Sequence, residues 1–251
     1  MRAALVTGAA RRIGREIALA LAEDGWNVGL CVRHTRMDQD AEDLRKAIEA
    51  KGVRAALLPA DLRDADAVGK LVPTAAATLG PISLLINNAS IFEPDEAATM
   101  TPASWAEHMD VNLRAPAFLS QAFAAQVPQT GGNIVNIIDQ RVWRPNPLFF
   151  SYTMSKMALW DMTRVMAQSF APHIRVNGIG PGPTLASTHQ TAADFQREVE
   201  ATILKRGTSP QEICAAIRFI LASPAMTGQM IALDGGQHLA WETPDVTSVY
   251  K

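Results

Sequence analysis

A tyrosine and a lysine four residues apart have the types and the spacing needed for proton-transfer chemistry. Tyr152 and Lys156 open a stretch of helical periodicity, so their side chains should lie on one face of a helix. A free tyrosine, with a pKa near ~10, exchanges protons sluggishly at neutral pH. Because a nearby ammonium favours the phenolate, we expect Lys156 to lower the pKa of Tyr152. Such a pair suits hydride transfer to a carbonyl or an imine, although most Tyr-x-x-x-Lys spacings are only part of a helix face.

A glycine-containing loop near the N-terminus predicts a phosphate-binding site. The loop follows the first apolar run and precedes a helical stretch, which is the context that a dinucleotide-binding motif requires. Gly8 permits a tight turn, and Gly14 lets the helix approach the sheet closely. The N–H groups at the helix start would bind a pyrophosphate. The predicted contacts are Gly8, Arg11, Arg12, Ile13 and Gly14. Arg12 replaces the middle glycine of the usual fingerprint, so a tight turn with two surface arginines is the alternative.

The end of the second apolar run favours NADP(H) over NAD(H). NAD-binding proteins place an Asp or Glu here to hold the ribose 2′-hydroxyl. In this chain Arg33 and His34 follow Val32 instead. A guanidinium binds a 2′-phosphate through paired hydrogen bonds, whereas a carboxylate would repel it. We therefore predict that Arg33 and His34 bind the 2′-phosphate, with a merely solvated strand end as the alternative.

Short apolar runs alternate with longer helical stretches along the chain. The apolar runs are Ala3–Val6, Val28–Val32, Ala55–Leu58, Leu84–Ile86, Ile134–Ile138, Val176–Ile179 and Met230–Leu233. The helical stretches are Ile13–Asp24, Asp38–Ala50, Asp64–Leu79, Trp105–Gln126, Ser151–Phe170 and Pro210–Leu221. Continuously apolar strands suit a sheet that is covered on both faces. We predict an α/β fold over residues 1–251: a single doubly wound Rossmann-type domain with a seven-stranded, mostly parallel sheet and helices on both faces. Residues 185–207 break the alternation and should form a substrate loop, and residues 241–251 should form a C-terminal tail.

The composition excludes several classes of function. The chain is 48% hydrophobic and 19% charged, with a net charge of −2, so no basic field predicts binding to nucleic acid or anionic lipid. No apolar run approaches the roughly 18 residues of a membrane span, and no signal peptide is recognisable. Cys31 and Cys214 lack the spacing of a zinc site or redox pair. We expect a cytoplasmic protein without a metal ion, in which both cysteines are reduced packing residues.

Seven short motifs in a fixed order make the chain resemble the short-chain dehydrogenase/reductase family over nearly its whole length. They are Thr7-Gly8…Gly14, Asp61-Leu62, Asn87-Asn88-Ala89-Ser90, Asn112, Tyr152…Lys156, Pro181-Gly182 and Asp234-Gly235-Gly236. The resemblance implies an NADP(H)-dependent oxidoreductase acting on a small molecule, with Tyr152 and Lys156 beside the nicotinamide and its ribose and Asn112 on a water in a proton relay. It also implies cofactor contacts from Asp61, Leu62, Asn88, Ala89, Ser90, Pro181, Gly182 and Thr184. Family members are usually homotetramers or dimers built on the helices around residues 105–126 and 151–170.

The chain departs from most of this family thirteen residues before the tyrosine. Most members carry a serine there, and this chain carries Asp139. A carboxylate would oppose the negative charge that develops on a carbonyl oxygen during its reduction. Asp139 makes sense if it is protonated, or if the substrate presents N–H groups and gains a proton. The alternative is that Asp139 is a surface or capping carboxylate.

The pteridine and dihydromonapterin reductases are the branch that shows the same departures. The chain is similar to them in Asp139, in the arginine of its first loop and in Phe92 after Asn-Asn-Ala-Ser. The resemblance implies that a pterin lies between Phe92 and the nicotinamide, that Ser90 and Arg12 bind its polar edge, and that Asp139 and Tyr152 relay the proton. We expect pterin reduction with NADPH. A ketone or aldehyde reductase and a catalytically silent NADPH-binding regulator stay open, and Phe92 is otherwise a loop aromatic beneath the site.

Overall fold

Seven parallel strands form one continuous sheet in the computed structural model, which describes residues 2–33 and 39–242. The strands are β1 (Ala3–Thr7), β2 (Asn27–Val32), β3 (Ala55–Pro59), β4 (Ile82–Asn87), β5 (Gly132–Ile137), β6 (Ile174–Pro181) and β7 (Met230–Leu233). Their order in the sheet is β3-β2-β1-β4-β5-β6-β7, and every neighbouring pair is parallel. The predicted fold is confirmed, and the sheet is parallel throughout.

Helices connect successive strands. They are α1 (Arg12–Glu23), α2 (Gln39–Glu49), α3 (Ala65–Leu79), α4 (Pro102–Met109), α5 (Ala115–Gln126), α6 (Phe150–Ser169), α7 (Ala192–Glu200) and α8 (Pro210–Ala222). The predicted helix over residues 105–126 is wrong as a continuous element, because a π-helical turn at Asp110–Arg114 separates α4 from α5. Residues 185–207 also hold more regular structure than expected. There, Thr191 and Asp194 form a capping box that starts α7.

Successive residues of each central strand contact opposite layers of helices. On β1, Leu5 belongs to a core cluster that includes residues of α3 and α5. Its neighbour Val6 belongs to a second cluster that includes residues of α1 and α8. The continuously apolar strand pattern is therefore explained by a sheet that is covered on both faces.

The two cysteines, Cys31 and Cys214, are buried and free. Burial raises the pKa of the Cys31 thiol to about 12.

The topology creates a crevice at the carboxyl edge of the sheet. Strands β1 and β4 are neighbours in the sheet although two strands separate them in the chain. Loops that leave the carboxyl ends of β1 and β4 therefore diverge toward opposite faces, which is where doubly wound folds bind ligands.

Within residues 2–33 and 39–242, no helix is both long and apolar enough to cross a membrane. Most of the predicted tail, residues 243–251, lies outside the described residues.

Candidate active site

A cavity of about 710 Å³ opens at this edge of the sheet. The predicted site residues that line it are Gly8, Arg11, Arg12, Ile13, Gly14, Arg33, Asp61, Leu62, Asn88, Ala89, Ser90, Phe92, Asp139, Tyr152, Lys156, Pro181, Gly182 and Thr184. Asn112 is buried and does not belong to the lining, and His34 lies outside the described residues. One cavity thus collects loops that are far apart in the sequence.

The phosphate loop is held tightly against the end of β4. Gly8 has a φ of +63°, and a Cβ there would lie 3.0 Å from the Cα of Ala89. A Cβ on Gly14 would lie only 2.2 Å from the carbonyl oxygen of Gly8. Thr7 Oγ1 accepts hydrogen bonds from the backbone N–H groups of Asn88 and Ala89, both at 3.0 Å. Glycine is therefore needed at both positions, and the close backbone packing suits a loop that holds a pyrophosphate.

The side chain of Arg12 contacts a different partner from the one that the sequence predicted. Its guanidinium donates hydrogen bonds to the carbonyl oxygens of Leu185, at 3.1 Å, and Ala186, at 2.9 Å. These carbonyls belong to the predicted substrate loop. Arg12 also has a φ of +54°, so it occupies the left-handed conformation that the fingerprint glycine adopts without strain. In this structure the side chain contacts protein carbonyls at the cavity, where the sequence suggested a pyrophosphate or a pterin edge.

Arginines surround the ends of β2 and β3. Arg63 donates to both carboxylate oxygens of Asp61, to Oδ1 at 3.0 Å and to Oδ2 at 2.6 Å, and these bonds hold the pKa of Asp61 well below its usual range. Arg33 lies farther away, with its Nε 3.6 Å from Asp61 Oδ2, and its side chain is 58% exposed. Asp61 is therefore ionised and already paired with Arg63, which leaves most of the Arg33 guanidinium accessible. The sequence reasoning missed Arg63, whose only signal was its position two residues after Asp61.

A short hydrogen bond joins the two groups that the sequence placed thirteen residues apart. Tyr152 donates its hydroxyl proton to Asp139 Oδ2 at 2.6 Å. The other oxygen of Asp139 accepts the backbone N–H of Arg141 at 2.8 Å, because Asp139 caps a 3-10 turn over residues 140–142. Lys156 is buried one helical turn after Tyr152, and its ammonium donates to the carbonyl oxygen of Ile137 at 2.8 Å. The acid pair and the lysine thus share one wall of the cavity.

The pKa values of the three ionisable side chains on this wall differ from what the sequence predicted. Burial raises the pKa of Asp139 despite the nearby positive charge of Arg141. Burial and the adjacent Asp139 also raise the pKa of Tyr152 well above its ordinary value. Burial lowers the pKa of Lys156 to about 8. The expectation that Lys156 lowers the pKa of Tyr152 is therefore wrong for this structure, because desolvation and the carboxyl group dominate. The phenol is a neutral proton donor.

Asn112 lies behind the cavity, in the π-helical turn. Its Nδ2 donates to the carbonyl oxygen of Ile91, at 2.9 Å, and to Ser155 Oγ, at 3.0 Å. Its Oδ1 accepts from the backbone N–H of Ile91, at 2.8 Å, and from Ser90 Oγ, at 3.2 Å. An amide offers two donors and two acceptor positions, and protein groups fill all four. In this structure Asn112 fastens the loop that carries Ser90 to helix α6, without a contact to Lys156.

An aromatic wall stands beside the acid pair. The rings of Phe92 and Phe149 stack with centroids 4.1 Å apart and an interplanar angle of 7°, and Phe92 meets Tyr152 edge-on at 4.7 Å. The Cζ of Arg141 lies 5.3 Å and 5.2 Å from the Phe92 and Phe149 centroids, which is within cation–π range. The sequence pointed to Phe92 as the aromatic residue of the site. Phe149 and Arg141 join it in the cavity lining, and the 3-10 turn over residues 140–142 brings Arg141 there.

In residues 2–33 and 39–242 no group of three His, Cys, Asp or Glu side chains is arranged to hold a metal ion. The cavity wall offers the acid pair and Lys156 for chemistry. The residues present fit NADP(H). The glycine loop suits the pyrophosphate, and the arginines at the ends of β2 and β3 suit the 2′-phosphate. The face with Tyr152 and Lys156 suits the nicotinamide ribose.

Comparison with known proteins gives consistent matches over almost the whole chain. The profile of the family described as Enoyl-(Acyl carrier protein) reductase matches residues 8–238. The 2-dehydro-3-deoxy-D-gluconate 5-dehydrogenase of Escherichia coli is 33% identical over 94% of both chains. A crystal structure of FolM alternative dihydrofolate reductase 1 from Brucella suis in complex with NADP is 46% identical, with a TM-score of 0.93 over 97% of this chain and 98% of that one. A blue fluorescent protein from a metagenomic library, in complex with NADPH, is 31% identical with a TM-score of 0.88 over 94% and 97%. With this fold, this cavity and these relatives, the chain belongs to the short-chain dehydrogenase/reductase family and is an NADP(H)-dependent oxidoreductase.

Proposed function

We propose that this protein reduces a pterin or a dihydropterin-like heterocycle with NADPH. The observation that carries the proposal is the 2.6 Å hydrogen bond from Tyr152 to Asp139 inside the cavity. A carboxyl group with a raised pKa is a proton reservoir, whereas an ionised one would destabilise the oxyanion formed from a ketone. Reduction of a ring C=N bond consumes a proton at nitrogen, so it suits this pair. The similarity to FolM alternative dihydrofolate reductase 1 supports the same choice.

The mechanism assigns each residue a separate task. The cofactor, when bound, supplies the hydride. The Tyr152 hydroxyl gives its proton to the substrate nitrogen. A protonated Asp139, whose Oδ2 lies 2.6 Å from that hydroxyl, then turns donor and returns a proton to the phenolate oxygen, and solvent reprotonates Asp139 before the next turnover. Lys156 lies at this wall as a cation that favours a transient phenolate. Phe149 covers one face of the Phe92 ring, so the heterocycle would stack on the other face of Phe92.

A direct activity comparison tests the proposal. We expect NADPH oxidation with dihydrobiopterin and much slower oxidation with a panel of ketones and aldehydes. Turnover of the ketones alone would contradict the proposal and favour carbonyl reduction, the second candidate. That candidate has support from relatives named 3-oxoacyl-[acyl-carrier-protein] reductase, of which one from Staphylococcus epidermidis is 30% identical over 95% of this chain and 99% of its own.

The variant Asp139→Ser separates these two chemistries more sharply. Serine restores the hydroxyl that most of the family carries and removes the proton reservoir. We expect kcat/KM for the dihydropterin to fall by roughly 10²-fold or more, with a smaller loss or a gain on ketones. Steady-state kinetics on both substrates gives the ratio. Equal losses on the two substrates would show that Asp139 has no pterin-specific role.

We further propose that the protein is a homo-oligomer assembled through α5 and α6. Phe118 of α5 is 52% exposed and Val165 of α6 is 61% exposed. Two large apolar side chains exposed to this extent suit a contact with a second copy. Family resemblance favours a dimer or tetramer built on the same helices.

A further inference from the structure

The side chain of Arg12 connects two loops that line opposite sides of the cavity. One loop follows β1 and opens α1. The other follows β6, and it supplies the carbonyl oxygens of Leu185 and Ala186 that accept the two guanidinium hydrogen bonds, at 3.1 Å and 2.9 Å. These positions lie more than 170 residues apart in the chain. A planar guanidinium suits this arrangement, because its two terminal nitrogens can reach two consecutive carbonyls at once.

The far end of the substrate loop has its own anchor, which does not involve Arg12. Glu198 of α7 accepts hydrogen bonds from Gln190 Nε2 at 2.7 Å and from Gln237 Nε2 at 3.2 Å. Gln190 in turn accepts the backbone N–H of Ser187 at 3.0 Å. This network fixes the loop from residue 187 onward. The stretch at residues 185 and 186, which enters the cavity wall, is held across the cleft by Arg12.

The backbone of Arg12 indicates that its side chain has a positive role. Its φ of +54° is in the left-handed region, where a residue with a Cβ is strained and glycine is not. The fingerprint glycine would therefore suit this backbone better and would not need compensation. A side chain kept at this strained position should make favourable contacts, and the guanidinium of Arg12 donates its two hydrogen bonds to the substrate loop.

We infer that Arg12 is a positioning residue that holds the start of the substrate loop over the cavity. Its backbone lies at the start of the helix that binds the pyrophosphate, while its side chain fixes the wall that the substrate contacts. One residue thus links the cofactor loop to the substrate loop. The inference deepens the proposed function and rests on it only for the choice of substrate. Loss of the side chain should weaken substrate binding and leave the hydride step almost intact.

Hydrogen exchange tests the loop contact without any substrate. The variants are Arg12→Gly, which suits the backbone, and Arg12→Lys, which keeps the charge and loses the paired donors. Arg15→Ala is the matched control, because it removes a neighbouring arginine on α1. With NADPH bound, we expect the amides of residues 185–190 to exchange at least about fivefold faster in Arg12→Gly, less so in Arg12→Lys, and as in wild type in Arg15→Ala. Unchanged exchange in Arg12→Gly would overturn the inference.

Steady-state kinetics and cofactor titration give the second readout. We expect Arg12→Gly to raise KM for dihydrobiopterin by about tenfold, the size expected for losing charged hydrogen bonds that order a binding wall. We expect kcat and the NADPH Kd to change by less than about threefold, with the thermal midpoint not lowered. A large rise in the NADPH Kd with an unchanged KM would overturn the inference, because the side chain would then serve the cofactor. If wild-type protein fails to reduce dihydrobiopterin, the proposed function falls, and the exchange comparison still decides the role of Arg12.

Discussion

The hydroxyl of Tyr152 and the carboxyl group of Asp139 lie 2.6 Å apart on the cavity wall, where Tyr152 is buried and Asp139 is half-buried. Burial raises the pKa of both groups, since each anion would be poorly solvated there. A pair with this preference holds its protons firmly until a stronger base is placed beside it. In the reaction that we propose, a ring nitrogen that receives a hydride at the adjacent carbon would be such a base.

The substitution Tyr152→Phe removes the proton donor and keeps the ring. We expect kcat to fall by about 10²- to 10⁴-fold, the usual contribution of a positioned acid. The NADPH Kd should stay within about threefold of wild type, because the glycine loop and the arginines remain. Single-turnover absorbance and fluorescence titration measure the two quantities. A parallel loss of cofactor binding would contradict a purely proton-donating role.

The charge on Lys156 should set the alkaline limit of activity. Burial lowers its pKa to about 8. Above that pH the lysine loses its proton, so turnover should fall as the pH rises through about 8. The substitution Lys156→Arg keeps a cation that does not titrate in this range, so the alkaline limb should disappear from the turnover that remains. The profile of kcat/KM from about pH 6 to 10 in both proteins tests this, and an unchanged limb in the variant would contradict the assignment to Lys156.

At the scale of elements, the sequence predicted what depends on local pattern. The apolar runs located all seven strands, and Gly8 and Gly14 marked the phosphate loop, because tight turns restrict residue type locally. The π-helical turn around Asn112 was not predictable, since no periodicity distinguishes it from the flanking helices. Contacts made across the cavity by Arg12, and the 3-10 turn that presents Arg141, depend on tertiary packing. The raised pKa of Tyr152 followed from burial, which residue spacing does not report.

The end of β2 should determine the choice between NADPH and NADH. Most of the Arg33 guanidinium is accessible, because Arg63 pairs with Asp61 more closely. We expect Arg33→Ala to raise the NADPH Kd by roughly 10-fold or more, as expected for losing a charged contact to a phosphate, and to leave the NADH Kd unchanged. Fluorescence titration with both cofactors tests this. The control Arg164→Ala removes an exposed arginine of α6 that does not line the cavity. An equal rise of the NADPH Kd in this control would show that the effect comes from the lower net charge and not from a contact of Arg33 with the phosphate.

At the scale of the whole molecule, the candidate active site and the surface that we propose for assembly lie on different sides of the sheet. The cavity opens at the carboxyl edge of the sheet, whereas α5 and α6 cover one of its faces, where Ala122 and Met166 pack against the same core cluster. Phe118 and Val165 lie on these two helices and are exposed. A second copy that binds there would stiffen the layer behind Tyr152 without closing the cavity. The proposed assembly would therefore be linked to catalysis through helix α6.

The double substitution Phe118→Asp and Val165→Asp tests this surface. Two carboxylates opposed to their symmetry copies would repel and lose apolar burial, so we expect the mass measured by light scattering to fall to that of one chain. Thr74→Asp adds a charge on the exposed face of neighbouring α3 and should leave the mass unchanged. Because Tyr152 is carried by α6, the separated chains should also melt at lower temperature and lose part of their turnover, while NADPH still binds. A wild-type protein that already has the mass of one chain would contradict the assembly, and full activity in the separated chains would contradict its link to the site.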